Sequence, residues 1–373
     1  MNILITGGAG FIGSNLALAL IGRGHQVTVL DNLSPQIHGD KAPLFRTIEG
    51  KVTFLKGDVR QRADWERTLA GQHAVVHLAA ETGTGQSMYE IQRYVDVNVS
   101  GTAILLDILA NTPHSVTKLV VASSRSIYGE GRYECKACGI VFPEAREAAD
   151  MEGGDFHVKC PGCRANVQLL ATTEDSRIHP SSLYGITKQT QEQMILTVGR
   201  SLGIPAVALR YQNVYGPGQS LANPYTGILS IFSTRIRNGN EIVIFEDGEE
   251  SRDFVFIDDV VAATTAAVEK PVPGHRAINI GSGVRTSVMT VARMLVEAYG
   301  KPVPIRVSGN FRLGDIRDNF AALDLAADLL DFQPRVDFAE GIRRFAAWVE
   351  QQEVVADTYE QSVTEMKAKG LYR

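Results

Sequence analysis

The sequence predicts an α/β protein: a Rossmann-type, doubly wound parallel sheet with helices on both faces, a smaller C-terminal α/β domain, and a small cysteine-bearing insertion. Three observations predict it. The apolar run Asn2 to Thr6 meets the turn Gly7-Gly8-Ala9-Gly10-Phe11-Ile12-Gly13, and a leucine-rich helical run (Leu16, Leu18, Leu20) follows. Short strand-like runs then recur between helical patterns, as in βαβ units. All four cysteines fall in one stretch of different character, residues 131 to 172.

The 373 residues suit one large α/β unit or two coupled domains. With 44% hydrophobic and 21% charged residues, a packed core is expected. The net charge of −5 and the lack of any basic run argue against nucleic acid and anionic membranes as partners. No apolar run is long enough to span a bilayer. Gly7 to Gly13 interrupt the N-terminal apolar stretch, and no basic flank precedes it, so no signal peptide is read there. The expectation is a cytoplasmic protein.

In chain order, Asn2 to Thr6 reads as a buried strand and the glycine turn opens a helix. Glycines at 7, 10 and 13 let the backbone turn tightly and approach a pyrophosphate, whose charge a helix N-terminus favours. Gln26 to Leu30 reads as the second strand, ending at Asp31. A carboxylate there accepts hydrogen bonds from ribose hydroxyls and repels a 2′-phosphate, which favours NAD over NADP. Val52 to Lys56 and His73 to Leu78 read as further strands, leading into Gly57-Asp58-Val59 and Ala79-Ala80. Small residues at such strand ends let a cofactor lie against the backbone. Tyr89 to Ala110 carries a helical pattern. Asn98 within it either faces solvent or bonds across to a neighbouring element. Lys118 to Ala122 reads as the fifth strand, and Ser124 lies just beyond it.

The insertion holds Cys135-Lys136-Ala137-Cys138 and Cys160-Pro161-Gly162-Cys163, spaced C-x2-C-x21-C-x2-C. Four thiolates so spaced close a tetrahedral structural zinc site with no open position for chemistry. The segment is too small to bury much core, so the metal is expected to stabilise it.

Past Thr172, Ala206 to Arg210 reads as a strand and Tyr211 to Gly218 as a loop. Pro224 to Arg237 reads as a helix, Ile242 to Phe245 as a strand, and Arg252 to Ile257 as a strand entering a helix at Asp258. Arg252 and Arg312 are candidates for clamping phosphates, because guanidinium binds phosphate bidentately. Either Arg taken alone reads first as half of a surface salt bridge. Gly341 to Gln351 reads as an amphipathic helix, and the charged tail to Arg373 as loose.

The chemistry is expected at Tyr184 and Lys188. They stand four residues apart on a helix that runs on through Met194, Ile195 and Val198, so they share one face. A neighbouring ammonium lowers the pKa of a phenol and makes it usable as a base. Ser124 is expected beside Tyr184 in the crevice beyond the strand ends.

Together these motifs resemble the extended short-chain dehydrogenase/reductases, in particular nucleotide-sugar epimerases and dehydratases. The matching residues, in order, are Thr6 to Gly13, Asp31-Asn32, Gly57-Asp58-Val59, His77-Leu78-Ala79-Ala80, Asn98, Ser124 with Ile127-Tyr128-Gly129, Tyr184 with Lys188, Arg210-Tyr211 with Asn213, Arg252-Asp253-Phe254, and Arg312 with Asp315. The resemblance implies a catalytic triad of Ser124, Tyr184 and Lys188. It implies NAD, tightly retained, on Gly7, Gly10, Phe11, Ile12, Gly13, Asp31, Asn32, Asp58, Val59, Leu78, Ala79, Ala80, Asn98, Tyr184 and Lys188. It implies a nucleotide diphosphate sugar held by Thr84, Ser124, Arg125, Ser126, Asn213, Asn223, Arg252, Arg312 and Asp315. A homodimer through a four-helix bundle is also implied.

The implied NAD-binding domain is 1–130 and 173–215 with 254–280. The knuckle is 131–172, the substrate domain 216–253 and 281–350, and the tail 351–373. The insertion, with stretches such as Gly85 to Ile91 and Asn223 to Gly227, resembles a subgroup, the dTDP-L-rhamnose 4-epimerases. The implied reaction is 4-epimerisation through a 4-keto sugar, with UDP-uronate or UDP-hexose as alternative substrates. Dehydratases of the family carry an Asp-Glu pair after the serine, and Arg125 and Ser126 stand there instead. Asp31 disfavours a 4-reductase. Arg125 either binds a sugar carboxylate, points at solvent or pairs with a carboxylate. Gln212 replaces a common aromatic. A non-enzymatic scaffold would need the three catalytic residues lost, and all are present.

Overall fold

The runs Asn2–Thr6, Gln26–Asp31, Thr53–Lys56, Ala74–His77, Lys118–Ser124, Ala206–Tyr211 and His275–Ile280 form one sheet of seven parallel strands. The computed structural model describes residues 1–39, 42–221, 223, 225 and 227–373. The spatial order begins with His275–Ile280, then Ala206–Tyr211, Lys118–Ser124, Ala74–His77, Asn2–Thr6 and Gln26–Asp31, and ends at Thr53–Lys56. The strand order reverses at Asn2–Thr6, and a ligand crevice lies beyond the carboxyl ends at such a point.

Period-two alternation separates two cores. Ile3 and Ile5 pack with Leu16 and Val29 on one face, while Leu4 packs with Trp65, Leu105 and Ile195 on the other. Helices Phe11–Gly22 and Ile257–Glu269 cover the first face. Gly101–Asn111 and Leu183–Leu202 cover the second. A third core gathers Tyr215, Phe232, Phe256, Leu295 and Phe345 beneath a smaller sheet. Among the described residues no helix is long and apolar enough to cross a membrane.

Three sequence expectations change. Asn213–Tyr215, read as part of a loop, is a strand paired in parallel with Ser251–Phe256, because Tyr215 inserts into the third core. The helix read from Pro224 is observed as Ile228–Arg237, and Pro224 itself lies outside the described residues. The tail is not loose. Residues Tyr359–Ala368 form a helix, and Phe311 and Arg373 exchange backbone hydrogen bonds of 2.8 and 3.0 Å. Val363, Met366 and Tyr372 are buried there.

The helical stretch after Tyr89 runs as Ile91–Tyr94, a π turn at Val95–Ser100, then Gly101–Asn111. The π turn carries Asn98, which is fully buried. Its amide donates to Thr187 Oγ1 (2.9 Å) and to the Glu81 carbonyl (3.1 Å), and its oxygen accepts from the Glu81 N–H (2.8 Å). Asn98 thus ties the loop after the fourth strand to the helix bearing Tyr184.

Beneath that helix lies a sealed polar network. Lys188 Nζ donates to Gln191 Oε1 (2.7 Å), Gln191 Nε2 donates to Thr102 Oγ1 (2.9 Å), and His77 bridges Thr102 (3.0 Å) and Thr6 (2.7 Å). Burial, helped by the Lys188 charge, pushes the His77 imidazole down to about 3 from its ordinary 6.5. Between these values the unfolded chain binds a proton that the folded chain refuses. The His77 contribution to stability is therefore complete above pH 6.5 and is lost as pH falls toward about 3. Urea unfolding is expected to show a slope from this group of up to about 1.4 kcal/mol per pH unit across that window. His77→Gln should flatten the slope, and an unchanged slope would assign the acid sensitivity to other groups.

Candidate active site

The crevice is shaped by the first turn. A Cβ on Gly7 (φ +67) would stand 2.8 Å from the Ala79 nitrogen, and one on Gly13 would stand 2.3 Å from the Gly7 carbonyl. Those two glycines are required by packing. A Cβ on Gly10 would meet only the Gly7 carbonyl, at 3.3 Å, so the bareness there serves something laid over the turn. The helix from Phe11 has no side-chain cap and no acidic residue in its first turn, which leaves its N–H groups for an anion. Asp31 closes the far end. Its Oδ2 accepts from the Ala9 N–H (3.0 Å), its Oδ1 from the Leu33 N–H (2.9 Å), and His38 lies 3.3 Å away.

These groups line a cavity of about 390 Å³. Every residue assigned to the cofactor lines it except Asn98, which is the buried tie already described. Ser124, Tyr184 and Lys188 stand at its other end. A bare turn, an uncapped helix and a carboxylate at the second strand end fit a dinucleotide lying from Asp31 to Tyr184.

A second cavity, of about 200 Å³, adjoins the first. Ser124 and Gln212 line one cavity, and their chain neighbours Arg125 and Asn213 line the other. Thr84, Arg252, Arg312 and Asp315 also line the second cavity. Asn223 faces the first, where its oxygen accepts from the Tyr225 N–H (3.0 Å). Ser126 lines neither: its hydroxyl lies 2.9 Å from Ser124 Oγ.

The electrostatics explain what each group can do. Burial pushes the Tyr184 phenol above its ordinary value, opposed by a hydrogen bond from Ser124 and by the Arg125 charge. Burial pushes the Lys188 ammonium down to about 7, and its Nζ is held by Gln191. The expected depression of Tyr184 by Lys188 is therefore absent from this state of the site. The cation acting on Tyr184 is Arg125. Among the described residues Arg125 pairs with no carboxylate: its Nε donates to Asn213 Oδ1 (2.9 Å), and burial followed by Arg252 lowers it to about 10.

Burial pushes the Asp315 carboxyl up, but Arg312, Arg252 and Arg125 outweigh it and hold it well below the carboxylate range. Arg312 Nη2 donates to Asp315 (2.7 Å), while its buried Nε has no hydrogen-bond partner among the described residues. The Arg252 fork is engaged by Asp315 and by the carbonyls of Ser251, Ile316 and Arg317. It offers a ligand charge rather than a free fork. Three guanidinium groups around one carboxylate make this cavity a place for a polyanion.

Sequence reasoning missed several lining groups. His38 and Gln219 face the first cavity, and Phe245, Glu250, Tyr359, Ser362 and Met366 face the second. Both amide atoms of the buried Gln212 lack partners among the described residues.

Comparison with known proteins decides the family. The profile described as "NAD dependent epimerase/dehydratase family" matches residues 3–140 and 164–281. The chain belongs to the NAD-dependent epimerase/dehydratase family. It is similar to a dTDP-L-rhamnose 4-epimerase of Burkholderia thailandensis, with 38% identity over 94% of this chain and 95% of the relative. Its fold is similar to that of a UDP-glucuronic acid 4-epimerase from Bacillus cereus, solved with UDP-glucuronic acid and NAD. The TM-score is 0.77 at 28% identity, covering 94% of this chain and 99% of that one. A UDP-glucose 4-epimerase from Thermotoga maritima, solved with UDP-glucose, gives a TM-score of 0.76 at 30% identity over 94% and 99%. Within the family the chain is an enzyme of the epimerase type.

The family profile lapses across residues 141–163 of this epimerase, inside the cysteine insertion. There the ligand atoms of Cys135, Cys138, Cys160 and Cys163 all lie within 4.8 Å of one another. Cys135 and Cys163 sulfurs are 3.5 Å apart, too far for a disulfide, which needs about 2.05 Å. Four sulfurs bound at about 2.3 Å stand about 3.8 Å apart in a tetrahedron, so the set fits a zinc ion. The Gly162 N–H points at Cys160 Sγ (3.4 Å), and a Cβ on Gly162 would stand 3.4 Å from Cys138 Sγ.

Proposed function

We propose that this enzyme is a nucleotide-sugar 4-epimerase that interconverts dTDP-L-rhamnose and dTDP-6-deoxy-L-talose, with structural zinc in the cysteine insertion. The observation that carries the reaction class is the meeting of the two cavities at Ser124 and Arg125, with Tyr184 at the junction. The 38% identical relative supports the sugar. NAD, when bound, accepts a hydride from C4 of the sugar and returns it. Tyr184 Oη, in its phenolate form, takes the proton of the 4-hydroxyl and later gives it back. Burial raises the pKa of this phenol, and the positive charge of a bound nicotinamide would favour the phenolate. Ser124 Oγ hydrogen-bonds the 4-oxygen, and Lys188, its Nζ held by Gln191, lines the cavity wall beneath the cofactor site. Arg312, Arg252 and Arg125 hold the diphosphate while the sugar ring turns. Closure of the second cavity by Tyr359, Ser362 and Met366 shelters the keto sugar from water. Arg125 and Ser126 offer no acid/base pair for dehydration. Exposed Ile91 and Ile186, on the two helices tied by Asn98, support a homodimer through those helices.

One observation favours a second reading. Among the described residues Arg125 has no carboxylate within ion-pair distance, although it faces the second cavity. A uronate would supply that carboxylate, as in a UDP-uronate 4-epimerase. Proton NMR of the purified enzyme without added cofactor separates the readings. A C4 epimer is expected from dTDP-L-rhamnose and none from UDP-glucuronate or UDP-galactose. Conversion of the uronate alone would replace the first reading with the second, and no epimer from any of the three would overturn both.

A further inference from the structure

The loop that carries Arg312 and Asp315 is held from two sides. On one side the tail pairs with it: Phe311 exchanges backbone hydrogen bonds with Arg373, and the Leu313 N–H donates to the Leu371 carbonyl (3.0 Å). On the other side lies the cysteine insertion. Its Met151 and Phe156 bury against Phe311, with the two phenyl rings 6.5 Å apart and edge-on.

Arg146 of the insertion reaches further in, with its side chain only 3% exposed. Its two terminal nitrogens donate to the Glu246 carboxylate (2.6 and 2.7 Å), one also to the Phe156 carbonyl (3.2 Å), the other to the Asp315 carbonyl (3.1 Å). Its Nε lies 3.3 Å from Glu130. Glu246, held at a left-handed φ of 49°, also takes Arg317 (3.1 Å). Glu130 accepts from the Arg317 N–H (2.8 Å). One guanidinium from the insertion thus fixes the backbone at Asp315, and the Asp315 carboxylate in turn holds Arg312 and Arg252.

We propose that the cysteine insertion braces the nucleotide-sugar cavity, with Arg146 as the positioning residue that sets the Arg312–Asp315–Arg252 cluster and Phe156 packing behind it. This rests on the reading that the cluster holds the diphosphate. Among the described residues the brace touches neither Tyr184 nor the lining of the dinucleotide crevice. It therefore acts on sugar-nucleotide affinity and leaves cofactor binding and the chemical step alone.

Calorimetric titration of the full-length, NAD-loaded enzyme with dTDP and with UDP tests this, alongside steady-state kinetics. Arg146→Ala is expected to weaken the better nucleotide about tenfold, the order expected when a charge-assisted contact is lost. The KM of the sugar nucleotide should rise in step, with kcat within about twofold and bound NAD unchanged. Arg146→Lys, which keeps the charge, should recover part of the loss. Phe156→Ala leaves every ion pair in place, and it should reproduce the KM effect more weakly if Arg146→Ala fails to fold. Arg312→Ala separates the two readings. If it leaves dTDP and UDP binding unchanged, the assignment of the cluster to the diphosphate fails. If it weakens binding while Arg146→Ala and Phe156→Ala do not, the brace alone is overturned. A parallel loss of bound NAD and kcat in the insertion variants would also overturn it, since that marks general unfolding.

Discussion

Tyr184→Phe is expected to lose about 10²–10⁴-fold in kcat while NAD remains bound. The substitution removes one oxygen and keeps the ring, so the packing of the 183–202 helix should stand. The phenol sits in the crevice with a hydrogen bond from Ser124 and the Arg125 charge nearby. Among the described residues no other group lining the junction combines an exchangeable proton with that placement: Ser124 is a poor base, Arg125 keeps its proton, and the Lys188 ammonium is turned to Gln191. Turnover is read by NMR on the sugar, and NAD by its release from the denatured protein. A variant within about fivefold of the parent would move proton transfer elsewhere, because general-base removal costs at least about 10².

Stripping the metal, or making Cys160→Ser, is expected to unfold residues 131–172 while the seven-stranded sheet stays folded. The insertion has its own cluster of Tyr133, Cys135, Val141, Val158 and Cys160, flanked by Val167 and Leu169. Two of those side chains, Cys135 and Cys160, belong to the proposed zinc set. So small a core cannot offset the chain entropy, whereas a structural zinc contributes an apparent 10–16 kcal/mol, roughly, in small domains. Metal analysis should find one zinc per chain, and hydrogen exchange across 131–172 should rise sharply on chelation. Unchanged protection in a metal-free sample would mean that contact with Phe311 and Glu246 alone keeps the segment folded.

Local rules account for what was legible in the sequence. The turn from Gly7 to Gly13, the carboxylate at Asp31 and the spacing of Tyr184 and Lys188 each obey constraints a few residues long. Strand starts and ends differed by a residue or two, as at Thr53 and Ala74. What stayed hidden depends on distant partners. The 359–368 helix looks like a charged tail until its Val363 and Met366 find Tyr372 and Phe245. Asn213–Tyr215 is too short to read as a strand without the 251–256 strand beside it. The choice for Asn98 between solvent and a neighbour turns on a π turn, which no spacing rule signals. Lys188 and Tyr184 line the same cavity, and what no spacing rule signals is Gln191, a helix turn onward, which offers the Lys188 Nζ a buried acceptor.

The late docking of residues 359–372 bears on biosynthesis. The dinucleotide crevice draws its walls from residues up to Asn223, and its sheet closes with His275–Ile280. The second cavity waits for Tyr359, Ser362 and Met366. As the chain leaves the ribosome N-terminus first, every described residue lining the dinucleotide crevice is made before Tyr359, Ser362 and Met366. A chain cut before residue 359 would therefore keep the described lining of the crevice and lack three lining residues of the second cavity.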